Sequence, residues 1–133
     1  MAGTTSDGNL RDSVFGVVDA IWQCPLSEDQ WHHTLRLIGQ LCASQASMLV
    51  VHNCESGASK LIASTGYESA FTNLYDEKYA IENPILTRIV TQPLGAVKTR
   101  AMLVDDGEFY DSRFYLEWLK PQGFDDIVAF NIL

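Results

Sequence analysis

The segment GYESAFTNLYDEKYAIENPIL, Gly66 to Leu86, is the stretch around which the chain can be read. Phe71, Leu74, Tyr75 and Tyr79 stand at i, i+3, i+4 and i+8, the spacing of a helix that buries one stripe while Asp76, Glu77 and Lys78 face water. Asn83-Pro84 then stops that helix and starts another. Asparagine is a favoured N-cap, and proline at the first helical position has no N–H to lose. Tyr75, Tyr79 and Asn83 each join a polar tip to apolar surface, so the segment is expected to form one wall of a small-molecule pocket.

Upstream of it, Met1 to Asn9 offers little to bury and reads as a mobile tail, with order expected from about Leu10. Val14, Phe15, Val17, Val18, Ile21 and Trp22 recur at helical intervals up to Cys24-Pro25, where the residue before proline leaves the α region. Ser27 and Gln30 match a capping box for a second helix from about Glu28 to Ala43, carrying Trp31, Leu35, Ile38 and Leu41 on one face. His32 and His33 fall off that face and, being adjacent, cannot share a metal; they read as solvated. Met48–His52 and Lys60–Ser64, separated by Asn53, Glu55, Ser56 and Gly57, predict a β-hairpin.

Downstream, Ile85, Leu86, Ile89 and Val90 give the helix after Pro84 its own buried face. Ala96–Thr99 is a short strand candidate, and 105–111 an acidic loop. Phe109, Tyr110, Phe114, Tyr115, Trp118 and Leu119 mark an aromatic helix stopped at Lys120-Pro121-Gln122-Gly123, and 127–133 reads as a last strand. A strand that ends the chain without a turn suggests an excised piece of a longer protein.

At 133 residues and 47% hydrophobic, the chain suits one domain. Its net charge of -8 disfavours direct contact with nucleic acid. Three cysteines without metal or redox spacing, no secretory signal and no apolar run near the roughly 20 residues that cross a bilayer point to a soluble, reduced, cytoplasmic protein with no membrane contact. No nucleophile elbow or phosphate-cradling glycine loop is present, and His52 on an apolar strand reads as an ordinary strand residue. The carboxylates Asp105, Asp106, Glu108 and Asp111 miss the calcium-loop spacing. No enzyme activity, cofactor or metal is expected. The 14 aromatic residues favour either a packed core or a pocket for a small apolar or aromatic ligand.

The spacing of Tyr67, Phe71, Tyr75, Tyr79 and Asn83-Pro84-Ile85 resembles the autoinducer-binding domain of LuxR-type transcriptional regulators. The stretch from Asp111 to Phe124, DSRFYLEWLKPQGF, is similar to a segment of sensor domains that precede a LuxR-type helix-turn-helix. The resemblance spans residues 10–133. It implies an α+β fold, a PAS- or GAF-like antiparallel sheet flanked by helices in a single domain, that senses a small molecule and forms a homodimer. The DNA-binding part would follow and is absent from this chain. Phe71, Tyr75, Tyr79, Asn83 and Trp118 are the ligand-binding residues this reading names, and the helix Arg11–Gln23 its candidate dimer surface. Phe71 stands where the quorum-sensing pattern has Trp, and Asn83 where it has Asp. The indole donor and the charge-assisted bond of a carboxylate are thereby lost. The alternative is a dimerisation module whose aromatic helix is only core.

Overall fold

The computed structural model describes residues 2–23 and 29–132, the first six of them by backbone alone. The fold is mixed α+β, and among the described residues the strands form two antiparallel sheets of two strands each. Two compact units divide the chain. One is drawn from Met1–Val51 and Leu61–Glu68, the other from His52–Lys60 and Ser69–Leu133.

In the first unit, helix α1 (Ala2–Gln23) packs on helix α2 (Asp29–Leu41). The start of α1 lies eight residues before Leu10, where the apolar stripe begins, because an established helix extends at one hydrogen bond per added residue without needing further burial. The Cys24-Pro25 stop and the Ser27 cap lie outside the described residues. Val17 and Ala20 are the buried positions of α1, and Thr34, Leu35 and Gly39 those of α2. Thr34 returns its hydroxyl to the Gln30 carbonyl oxygen at 2.9 Å, so burying it leaves no donor unmet. Both histidines of α2 are exposed: His32 Nδ1 donates to the Ser64 carbonyl at 3.0 Å, and His33 Nδ1 accepts from Arg36 Nη2 at 2.8 Å. Strands β1 (Ser47–His52) and β2 (Ser59–Thr65) form the expected hairpin. Gly66 closes it at a φ of 81°, and a Cβ there would overlap the Gln45 carbonyl oxygen and Ala46, so both its conformation and its contact require glycine.

In the second unit, the predicted single helix after Gly66 is interrupted. Helix α3 (Ser69–Leu74) passes into a π-helical turn, Tyr75–Tyr79, and then into the short α4 (Ala80–Glu82). Helix α5 (Pro84–Ile89) follows, with Asn83 as its N-cap and Pro84 in its first turn, as the sequence predicts. The 105–111 stretch, expected as an acidic loop, is in part helical: helix α6 (Arg100–Leu103) is followed by helix α7 (Asp106–Tyr110), on which Phe109 is buried and so ties the acidic residues to the core. The predicted aromatic helix is broken after Tyr110 and resumes as a second π-helical segment, Phe114–Leu119, which tightens into a 3₁₀ turn at Lys120–Gln122. Gly123 ends that turn in the left-handed region.

Strand β3 (Lys98–Thr99) pairs antiparallel with β4 (Val128–Ala129), Lys98 facing Ala129 and Thr99 facing Val128. The observed β4 is much shorter than the predicted strand over 127–133. Asn131 spends its side-chain amide on the carbonyls of Ile89 and Gln92 at the end of α5, and its own carbonyl accepts from the Gly95 N–H. That local satisfaction replaces a longer ladder.

Candidate functional site

A run of four-residue steps sets the geometry of the site. Phe71, Tyr75, Tyr79 and Asn83 are each four apart, and an unbroken α-helix would spread them over about 120° of its circumference. The π-helical turn at Tyr75–Tyr79 absorbs that drift, because its i→i+5 bonding takes more residues per turn. Tyr75 and Tyr79 are consequently both buried, while Leu74, which belongs to the predicted stripe, is largely exposed. The second π segment repeats the pattern with Phe114–Trp118 and Tyr115–Leu119, all four buried.

The two π segments face each other and bring Tyr75 against Trp118, with Asn83 bonded to Tyr75 and the Phe71 backbone carbonyl bonded to Trp118. Trp118 Nε1 donates to the Phe71 carbonyl oxygen at 2.7 Å. The Tyr75 ring lies 5.1 Å from that of Trp118 and 6.4 Å, edge-on, from that of Phe114, and Phe114 stacks on Trp118 at 5.3 Å. Asn83 Nδ2 donates to the Tyr75 hydroxyl at 3.1 Å while its Oδ1 accepts from the Ile85 N–H at 3.0 Å. One side chain therefore caps α5 and binds the tyrosine above it. Tyr79 turns its hydroxyl to the rim and donates to Glu117 Oε2 at 3.2 Å.

This cluster is closed. Only 1% of Tyr75 and 1% of Trp118 can be touched by a water-sized sphere, and Asn83 is 8% exposed. Several of its polar groups are turned on one another; the Tyr75 hydroxyl accepts from Asn83, and among the described residues no acceptor takes its own hydrogen. Burial raises the Tyr75 phenol above its ordinary value, with the Asn83 bond working against the shift and the Asp76 charge adding to it. Tyr75 is a neutral donor at physiological pH.

Glu117 was not singled out by its sequence context, although Arg113 four residues earlier is a pairing signal on a helix. Burial pushes its carboxyl up, but hydrogen bonds from Arg113 and Tyr79 and the charges of Arg113 and Lys78 bring it below its ordinary value. Arg100 gave no sequence signal at all. It is 6% exposed, lies over the Phe109 and Tyr110 rings at 5.3 and 5.1 Å, and pairs with Asp106 at 2.6 Å. The acidic stretch is thus spent on ion pairs in part, since Glu108 also meets Arg88 at 2.6 Å. His52 forms a cross-strand pair in the hairpin, its Nδ1 2.6 Å from Ser59 Oγ. Among the described residues no three His, Cys, Asp or Glu side chains gather as a metal would need, and no helix is long and apolar enough to cross a membrane.

Comparison of the chain with protein-family models, curated proteins and solved structures finds no match.

Proposed function

We propose that this chain is the cytoplasmic sensory module of a LuxR-type transcriptional regulator, PAS- or GAF-like in architecture, which takes a small apolar or aromatic ligand into the cluster of Phe71, Tyr75, Tyr79, Asn83 and Trp118 and passes the signal to a helix-turn-helix elsewhere in the regulator. The observation that carries this reading is the pair of facing π-helical segments, which hold Tyr75, Tyr79 and Trp118 between them. Such geometry makes up well under 1% of residues in globular proteins and concentrates at functional sites, so two opposed examples are a poor fit to a core that only fills space. Within the cluster, the Tyr75 hydroxyl has a hydrogen left to give, and a ligand carbonyl is the chemistry that would take it. The ring faces of Trp118 and Phe114 supply the apolar surface. Entry requires the two π segments to part.

The test is a thermal-shift titration of the chain against a panel of apolar and aromatic metabolites that includes acyl-homoserine lactones. A ligand stabilises the folded state by RT ln(1 + [L]/Kd) and so raises Tm in a concentration-dependent way, and Tyr75→Phe weakens that binding roughly tenfold. A panel without any responding compound favours the second reading, a dimerisation module with a solid core, for which the near-complete burial of Tyr75 and Trp118 speaks.

A further inference from the structure

The two faces of the β3–β4 sheet are unlike. Ala129 and Asn131 alternate onto one of them, where Asn131 holds the carbonyls of Ile89 and Gln92 at the end of α5. The register that sets Thr99 opposite Val128 also sets Val97 opposite Phe130, and these side chains share the other face with Ile132. There Val97 is 60% exposed, Val128 63%, Phe130 48% and Ile132 53%. The solvent face of an antiparallel sheet is ordinarily polar, whereas this one is bare apolar surface on the order of 400 Å².

The edge of the sheet is open as well. Arg100 N–H donates to the Ile127 carbonyl oxygen at 2.8 Å, so by the alternation of an antiparallel pair Ile127 and Ala129 aim their backbone groups at β3, and Val128 and Phe130 aim theirs outward. Among the described residues no strand pairs with that outer edge. Exposed edges are commonly blunted by lysine, proline or a bulge. The run from Ile127 to Ile132, IVAFNI, has neither charge nor proline, and it follows the exposed pair Asp125-Asp126.

We propose that the outer edge of β4 takes an extended peptide segment of a partner protein, laid antiparallel as a third strand, apolar at alternate residues and basic at its C-terminal end. The outward backbone groups of Val128 and Phe130 are what a strand pairs with, and a helix laid across the face would leave them without a partner. Alternate apolar residues of the segment stand beside Val128 and Phe130 on the bare face. Its basic end lies where β4 begins, by Asp125 and by Asp126, which stays 61% exposed while pairing with Arg100 at 3.6 Å, and the net charge of -8 favours the same sign of partner. This inference does not depend on the ligand reading, because none of its residues belongs to the aromatic cluster.

Fluorescence anisotropy of a labelled synthetic peptide, alternating valine and threonine and ending in two arginines at its C-terminus, reads the binding to the full chain. The peptide is expected to bind with a dissociation constant below about 1 mM, and glutamates in place of the arginines weaken it by about fivefold or more. In the antiparallel register a valine opposite Val128 turns its own N–H toward β4, and the threonines turn theirs away. Methylating the valine nitrogens therefore weakens binding about a hundredfold, whereas methylating the threonine nitrogens leaves it within about threefold. Val128→Lys, an exposed change that leaves folding intact by circular dichroism, weakens it roughly tenfold. No binding at about 1 mM peptide overturns the proposal. So do equal losses from the two methylated peptides, indifference to Val128→Lys or to the exchange of the arginines, and self-association of the chain through β4 in place of peptide binding.

Discussion

Two helical stretches of this protein carry the same kind of sequence signal and meet opposite fates. In α1, Leu10, Val14, Phe15, Val18, Ile21 and Trp22 keep helical spacing and remain on the surface. In the segment from Ser69 to Glu82, Tyr75 and Tyr79 keep helical spacing and are buried against Trp118 and Phe114. The lesson is that periodicity identifies a face that prefers to leave water but does not say what covers it. Whether a cover exists depends on residues far away in the chain, here the second π segment some forty positions later.

The contrast is broken most directly with the two tryptophans. Trp118→Ala removes a ring that is fully enclosed and leaves the Phe71 carbonyl without its donor, so urea unfolding should show a loss of about 3–5 kcal/mol. Trp22→Ala, at concentrations where the chain is monomeric, should change stability by less than about 0.5 kcal/mol. Equal losses would mean that α1 is covered and the comparison is false.

Asn83→Ala sharpens the picture of how the closed side is held. It removes the N-cap of α5 and the partner of a buried tyrosine together, at a cost of about 2–3 kcal/mol in the same measurement. Asn83→Asp keeps the cap but offers no donor to Tyr75; it instead accepts the hydroxyl hydrogen that the wild type leaves without an acceptor, so it should recover most of the loss.

The smallest effect belongs to the rim. The folded Glu117 carboxyl lies below its ordinary value of 4.5, which means the folded state holds its proton less tightly than the unfolded chain does. Its contribution is therefore present above that value and lost as pH falls through the lower, folded one. Glu117→Gln should lower Tm slightly at neutral pH and leave it unchanged in strong acid, and a gap that stays constant with pH would remove Glu117 from the network around Tyr79 and Arg113.

Much of the local structure is legible from residue types. The Asn83-Pro84 junction, the hairpin between β1 and β2, the glycine after it and the stop at Lys120–Gly123 all rest on backbone rules that act over a few residues. Of the five residues named for the site, Trp118 bonds the Phe71 backbone carbonyl and Asn83 bonds Tyr75, whereas Tyr79 turns to Glu117 at the rim. What the spacing did carry, and a 3.6-residue template overlooks, is the repeated step of four from Phe71 to Asn83, which is the trace of a π turn.

The amino-acid sequence by itself determined the helices on either side of Asn83-Pro84, the turns at Gly66 and Gly123, and which faces are apolar, because each follows from backbone sterics, local hydrogen bonding and periodicity within a few residues, whereas the helices at Arg100–Leu103 and Asp106–Tyr110 were not legible in it. Only the tertiary structure decided that Asn83 bonds the Tyr75 hydroxyl, that Arg100 is buried over two aromatic rings, and that the stripe of α1 is left open. Those outcomes are set by pairings between positions distant in sequence, and burial is a property of the neighbour as much as of the residue.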